Sequence, residues 1–561
     1  MNGKIENVVI IDIDGLRRDV LYNAVTKDSL LSDDKKKLPT FSKILGPIKL
    51  DNIADVNLIN SFGNDHSVTF SKNSILVDRC TTVFPSYTHP AQASIFTGML
   101  PKNHGITANF PFDRSGESLG AKRKSQDYSS KDALEFYLEE GSGNYMLKEG
   151  TSTIYDLCSE NRLKCAVAYN FFISQHRENV DILDFSSKID GINREKIDWI
   201  VPNIKDQIKF VTEGAADGIS WYHKNFDNDM WKDVRNYLQI YQDQNIKLPN
   251  VLTLYFGGHD HQAHIQGKLD LQLEYLKRTV DPILKELLNI WKQFAINDSC
   301  MNTLFVICSD HGHTPVDLDY RNQITPKEIE NLVNGRYYDV LDKGELYVAE
   351  RKCNTVIEIT AGLAHIYIRK GVKDPPLGNW KEKPSFNDIK DALRKLCKAN
   401  KRSDFYPQIH PGAFDYILFK SNEDNAYFLY DYDESSDNDI IKPVTENFGI
   451  EKGYVRGRER IEDLLCENSG DILVIVNYGA GFRFEKKSEM KSTHGSLLDS
   501  DSYVPLTFST PFNSDIIKTM KLQNENIAKG VVASAKTIDI IPTILNQFNM
   551  RSDEFDGEAL F

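Results

Sequence analysis

Three short apolar runs that each lead into an aspartate constrain this chain more than any other feature. Val8-Val9-Ile10-Ile11 leads to Asp14, Val251-Leu252-Thr253-Leu254-Tyr255 to Asp260, and Leu304-Phe305-Val306-Ile307 to Asp310. Unbroken apolar runs, rather than strict alternation, suit strands covered on both faces. Cys165-Ala166-Val167-Ala168-Tyr169 and Asp471-Ile472-Leu473-Val474-Ile475-Val476 are two more strand candidates. Between the runs, Leu273, Leu276, Val280, Leu284 and Leu287 recur at helical spacing, which predicts a packed crossover helix. Strands and helices in this alternation predict an α/β sandwich with a largely parallel central sheet.

Two stretches interrupt the alternation. Residues from about Asp113 to Gly150 are polar and read as an insertion or long loop, and the interval 316–467 holds its own strand and helix patterns. Leu363-Ala364-His365-Ile366-Tyr367-Ile368 and Tyr416-Ile417-Leu418-Phe419 are strand candidates there, and Ile389 to Leu396 a helical one. The expected organisation is a core over 1–315 and 468–561 with an inserted second lobe over 316–467. A length of 561 residues agrees, being too much for one simple core. The acidic run from Asp431 to Asp439 reads as an exposed tip, and Gly479-Ala480-Gly481 as a turn.

A net charge of −14 argues against a bulk nucleic-acid binder, which needs a basic footprint. A small anionic substrate stays open, because bound cations can make one pocket locally positive. The eight cysteines form no CxxC pair and read as reduced, buried thiols. Asp12 and Asp14 interrupt the N-terminal apolar stretch, so it does not read as a signal peptide, and no apolar run has the length of a bilayer span. The expectation is a cytoplasmic protein without a membrane partner, although a trimmed secreted form would look the same.

The chemistry lies just after the strands, where open α/β sheets collect their ligands. Asp260 and His264 stand four apart, Asp310 and His311 are adjacent, and His494 precedes a glycine. One carboxylate after a strand is usually a cap or turn residue. Three of them, two with a histidine following, form an inventory that suits two divalent ions, zinc or manganese. Thr88, within Pro85-Ser86-Tyr87-Thr88-His89-Pro90, is a candidate nucleophile between them, with Thr81, Thr82 and Ser86 as competing hydroxyls. Such a set predicts a two-metal hydrolase acting on phosphorus or sulfur esters.

In this order the motifs resemble the alkaline phosphatase superfamily, within it the type I phosphodiesterase/nucleotide pyrophosphatase branch. The carriers are Ile13-Asp14-Gly15-Leu16-Arg17, Thr88-His89-Pro90 with Ser94-Ile95-Phe96-Thr97-Gly98, and Pro101-Lys102-Asn103-His104-Gly105-Ile106. Asp260 with His264, Ser309-Asp310-His311-Gly312, Thr493-His494-Gly495 and Asp539-Ile540-Ile541-Pro542 with Asp556-Gly557 complete the pattern. The resemblance implies an alkaline-phosphatase-like sandwich. It implies that Asp14, Thr88, Asp310 and His311 surround one ion, and that Asp260, His264 and His494 hold the other. It further implies attack by Thr88 through a covalent phospho-threonine, with the Asn109 amide on a phosphoryl oxygen; the plainer reading of Asn109 is a turn residue. His313 is the best candidate among the remaining histidines to orient a ligand.

Phosphomonoesterases of one related type carry a Lys-x-Arg pair where this chain has Asn170-Phe171-Phe172, which supplies no cation. A phosphodiester or pyrophosphate substrate is therefore expected, with Phe171 and Phe172 either walling the site or filling core. A phosphomonoesterase, with His176 or Arg177 replacing the charge, and a phosphonate hydrolase are the alternatives. Rivals of another kind are a haloacid dehalogenase-like phosphatase opening at Asp12, which would leave the distant histidines without purpose, and a non-catalytic binding protein on this fold.

Overall fold

The computed structural model describes residues 4–28, 31–46, 49–50, 68–69, 74–109, 112, 146–174, 176–185, 193–201, 215–297, 299–316, 322–334, 336–337, 355–371, 382–402, 409–484, 490–527, 531–550 and 554–561. Two sheets organise it. In chain order the strands are β1 (Asn7–Ile13), β2 (Ser74–Thr81), β3 (Cys165–Ala168), β4 (Val180–Asp184), β5 (Ile197–Val201), β6 (Val251–Phe256) and β7 (Thr303–Cys308). There follow β8 (Arg336–Tyr337), β9 (Thr355–Thr360), β10 (Leu363–Ile368), β11 (Phe414–Ser421), β12 (Ala426–Asp433), β13 (Asn438–Pro443) and β14 (Ile472–Val476). The last two are β15 (Tyr503–Ser509) and β16 (Val531–Lys536).

The central sheet has the order β16-β2-β15-β7-β1-β6-β3-β5-β4. Its pairs are parallel except those of β15, which runs against both β2 and β7. Apolar layers on both faces explain the unbroken runs. Val9, Ile11 and Ile13 of β1 enter one layer, Val8 and Ile10 the other, and all are fully buried. Polar residues therefore wait for the strand ends, where the chain meets solvent again.

The helices that matter to the site are α1 (Thr88–Thr97), α2 (Ala215–Asp243), α3 (Gly258–Gln266), α4 (Leu269–Tyr275), α5 (Asp281–Asn297) and α6 (Phe386–Lys401). The crossover helix expected around Leu273 to Leu287 is α4 and α5 joined by a π-helical turn, Leu276–Val280. Pro282 accounts for the slip, since it has no N–H to donate back into the preceding turn. No described helix is long and apolar enough to cross a membrane.

The second sheet, of order β8-β9-β10-β14-β11-β12-β13, packs one face on α6 through Ile389, Leu393 and Leu396. β14, read in sequence alongside the core strands, lies at the centre of this second sheet between β10 and β11. The acidic run is more than a free tip: Arg394 of α6 holds Asp439 at 2.8 Å and Asp437 at 3.1 Å, tying the β12–β13 hairpin down. Of the polar insertion expected near 113–150, residues 113–145 lie outside the described residues; Met146 and Leu147 pack with Ala93, Ile106 and Phe172. The seven described cysteines are free thiols, six of them buried; Cys353 lies outside the described residues.

Candidate metal centre

Three adjacent parallel strands, β6-β1-β7, deliver the three aspartates to one end of the central sheet. The register pairs Ile13 with Phe256 and Asp12 with Cys308, so Asp14, Asp260 and Asp310 follow at nearly the same level. β1 turns sharply at Gly15, whose φ of 69° lies in the left-handed region. A side chain there would also collide, at 2.7 Å from His313 Nε2 and 3.0 Å from Asp260 Oδ1. After β6 the chain enters α3, where Asp260 and His264, one turn apart, share a face with Nε2 3.4 Å from Oδ2.

Thr88 opens α1, with His311 Nε2 3.3 Å from its Oγ1. The same nitrogen lies 3.3 Å from Asp14 Oδ1 and 3.4 Å from Asp310 Oδ2. Donor atoms of Asp14, Asp310 and His311 thus lie within 4.8 Å of one another, as do those of Asp260, His311, His313 and His494. His311 stands in both groups. His494 Nε2 is 3.6 Å from Asp260 Oδ1, and the His494 and His311 rings stack with centroids 3.7 Å apart.

Each ring is aimed by a backbone carbonyl. His264 Nδ1 lies 2.8 Å from the Ser492 carbonyl, His311 Nδ1 3.1 Å from that of Gly312, and His494 Nδ1 3.1 Å from that of Ser86. A carbonyl can only accept, so each Nδ1 carries the proton and each Nε2 lone pair faces the cluster. His259 uses the same device on the Asp14 carbonyl, at 2.9 Å.

The three carboxylates differ in what surrounds them. Burial pushes Asp14 well above the usual range, with Asp310 and Asp260 adding to it, and burial likewise raises Asp310. Asp14 Oδ1 and Asp310 Oδ2 are buried without a hydrogen-bond partner among the described residues. Asp260 differs: against its own burial, His264, His313 and His494 hold it well below the usual range. Buried orphan oxygens beside inward-facing imidazole nitrogens fit divalent ions of the zinc or manganese type.

His313 reaches closest to Asp260, with Nε2 2.6 Å from Oδ1 and Nδ1 3.0 Å from Ser492 Oγ. Sequence reasoning did not single out Tyr255. Tyr255 donates its hydroxyl to Asp14 Oδ2, and its only signal was a polar-tipped aromatic in an apolar strand. Asn109 Oδ1 accepts from the His89 N–H at 3.0 Å, so its NH2 remains to donate. The two phenylalanines part company. Phe172 is fully buried in core, whereas half-buried Phe171 packs on Tyr255 at 5.2 Å and at 4.9 Å on His89, the residue after Thr88. His176 is exposed and faces Glu178, and the Arg177 side chain lies outside the described residues. Asp12 is sealed at 0% exposure, accepting from Gln92 Nε2 at 2.6 Å, so the dehalogenase-like reading has no accessible carboxylate at its opening.

Residues 8–497 match the family model for type I phosphodiesterase/nucleotide pyrophosphatase. An ectonucleotide pyrophosphatase/phosphodiesterase of Caenorhabditis elegans is 25% identical over 267 residues, 46% of this chain and 26% of that protein. The match therefore spans about a quarter of that relative's length. Murine ectonucleotide pyrophosphatase/phosphodiesterase 5 shares the fold, with a TM-score of 0.50 at 15% identity over 98% of this chain and 97% of that one. The human counterpart has a TM-score of 0.49 at 14% identity, over 98% and 97%.

Proposed function

Because the chain belongs to the type I phosphodiesterase/nucleotide pyrophosphatase family, we propose that it hydrolyses phosphodiesters or pyrophosphates at Thr88 within the aspartate–histidine cluster. The observation that carries this reading is the gathering of Asp14, Asp260, Asp310, His311 and His494 at the end of β6-β1-β7, with Thr88 Oγ1 3.3 Å from His311 Nε2. Asp14, Asp310 and His311 would hold one divalent ion beside Thr88, and Asp260, His264 and His494 a second, zinc for preference. Bound there, the ions would supply Lewis acidity, making the Thr88 hydroxyl ionisable near neutral pH and neutralising phosphoryl charge.

This chain's own residues do the rest. Thr88 Oγ1 attacks phosphorus, one ester oxygen leaves, and water then cleaves the phospho-threonine to restore the hydroxyl. The Asn109 NH2, freed by the bond from His89 to Oδ1, donates to a phosphoryl oxygen as charge builds there. Phe171 walls one ester substituent. Asn170-Phe171-Phe172 supplies no cation to balance a dianionic monoester, which favours a diester.

The direct test is hydrolysis of bis-p-nitrophenyl phosphate against p-nitrophenyl phosphate by zinc-loaded protein, with a chelated control. Preference for the diester, lost on chelation, is the expected outcome. Preference for the monoester would overturn the substrate class, and turnover that survives chelation would overturn the metal mechanism.

A further inference from the structure

The second sheet carries a carboxyl group with one oxygen that has no hydrogen-bond partner among the described residues. Glu358 stands opposite His365 in the β9–β10 register and is 4% exposed. Its Oε2 is buried without a hydrogen bond, and burial pushes the group well above the usual carboxylate range. Of the neighbouring polar groups, the Tyr87 hydroxyl and His365 Nδ1 are each engaged by a backbone N–H, while His365 Nε2 has no hydrogen bond of its own among the described residues. Tyr87 Oη accepts from the Gly362 N–H at 3.0 Å. His365 Nδ1 accepts from the Gly470 N–H at 3.0 Å, and the other side of its ring lies by the Thr107 carbonyl.

Its position ties it to the reaction site. The turn between β9 and β10 touches both halves of the centre: Gly362 bonds Tyr87, next to Thr88, and abuts the Gly495 carbonyl, next to His494. Glu358 shares a face with Thr360 at that turn, about 7 Å back along the strand. Tyr87 lies close enough to feel its charge. Glu358 thus sits on the lobe's inner face, between the nucleophile segment and the segment that runs from Thr107 to Asn109.

A buried carboxyl with no partner costs stability, and a fold that keeps one gains nothing from it unless a ligand supplies the missing group. Burial alone favours the neutral acid, and a cation arriving beside it would favour the carboxylate instead, forming a paired charge in a dry place. We propose that Glu358 recognises a cationic amino group on one ester substituent of the substrate, whose phosphoryl group lies at Thr88. This rests on the phosphoesterase reading above, and it assigns the second lobe a part in choosing the substrate.

O-phosphorylethanolamine and propyl phosphate differ by an ammonium in place of a methyl, so they isolate the interaction. Each is titrated into zinc-loaded protein by calorimetry and assayed as an inhibitor of bis-p-nitrophenyl phosphate hydrolysis. Wild type is expected to bind the aminoethyl ester roughly tenfold to a hundredfold more tightly, and Glu358→Gln to bring that ratio to about one. Glu358→Met is expected to lose the preference too while raising the melting temperature, because an unpartnered acid leaves the interior. A ratio near one in wild type, binding of neither ester, or a ratio that survives Glu358→Gln overturns the proposal. Hydrolysis of the diester without the ratio would sink Glu358 and spare the phosphoesterase reading; the ratio without hydrolysis would do the reverse.

Discussion

His264, His311 and His494 come from three distant parts of the chain, yet each gives its Nδ1 proton to a main-chain carbonyl. The proton so placed leaves Nε2 as the only lone pair and fixes the ring before any ligand arrives. Thr88, by contrast, is an ordinary hydroxyl whose reactivity depends on what surrounds it. Thr88→Ala is accordingly expected to keep metal at wild-type stoichiometry by elemental analysis and to lower diester turnover by at least about a thousandfold. Substantial turnover with the metal retained would move the nucleophile to another residue. The sequence pointed to these side chains because their spacing to neighbouring motifs is local. It did not point to Tyr255, which hydrogen-bonds a carboxylate 241 positions away.

Helices α2, α3 and α4 meet at Asp227. This α2 residue accepts from the Gly258 N–H at 3.0 Å, starting the helix that carries Asp260 and His264, and from the Tyr275 hydroxyl at 2.8 Å. Burial raises its carboxyl to about 7. Since the folded value exceeds the unfolded one of about 4, the native state holds the proton longer, and stability should fall as pH rises between the two. Asp227→Asn preserves both contacts without the charge. It should remove that part of the slope and raise the melting temperature at about pH 8, where the wild-type group is ionised. An unchanged pH–stability curve would mean that Asp227 is solvated in the native state. None of this was legible beforehand: hydrophobic period foretold the helix around Leu273 to Leu287, but neither the π-helical turn nor the aspartate that knits three helices together.

At the scale of the whole molecule, the buried acids bind the fold to its ligands. Asp14 and Asp310 are held above their ordinary range, so the metal-free protein should lose stability as pH rises and they ionise. Ions that bind only the native state act oppositely, adding about 4 kcal/mol per site at a thousandfold excess over Kd. Chelation should therefore lower the melting temperature by more at about pH 8 than at about pH 5, where protons compete for the same oxygens. Equal shifts at both values would show that the acids are not ligands. What the sequence determined by itself was whatever depends on short range. Apolar runs gave the buried strands, their ends gave the positions of Asp14, Asp260 and Asp310, and four-residue spacing put Asp260 and His264 on one helical face. Tertiary structure alone decided which strands are neighbours, that Ile472–Val476 joins the second sheet, that Phe171 packs on His89 and Tyr255 while Phe172 is core, and that Glu358 stands opposite His365. Those outcomes turn on contacts between residues far apart in the chain, and local periodicity carries no information about which distant surface a face will meet.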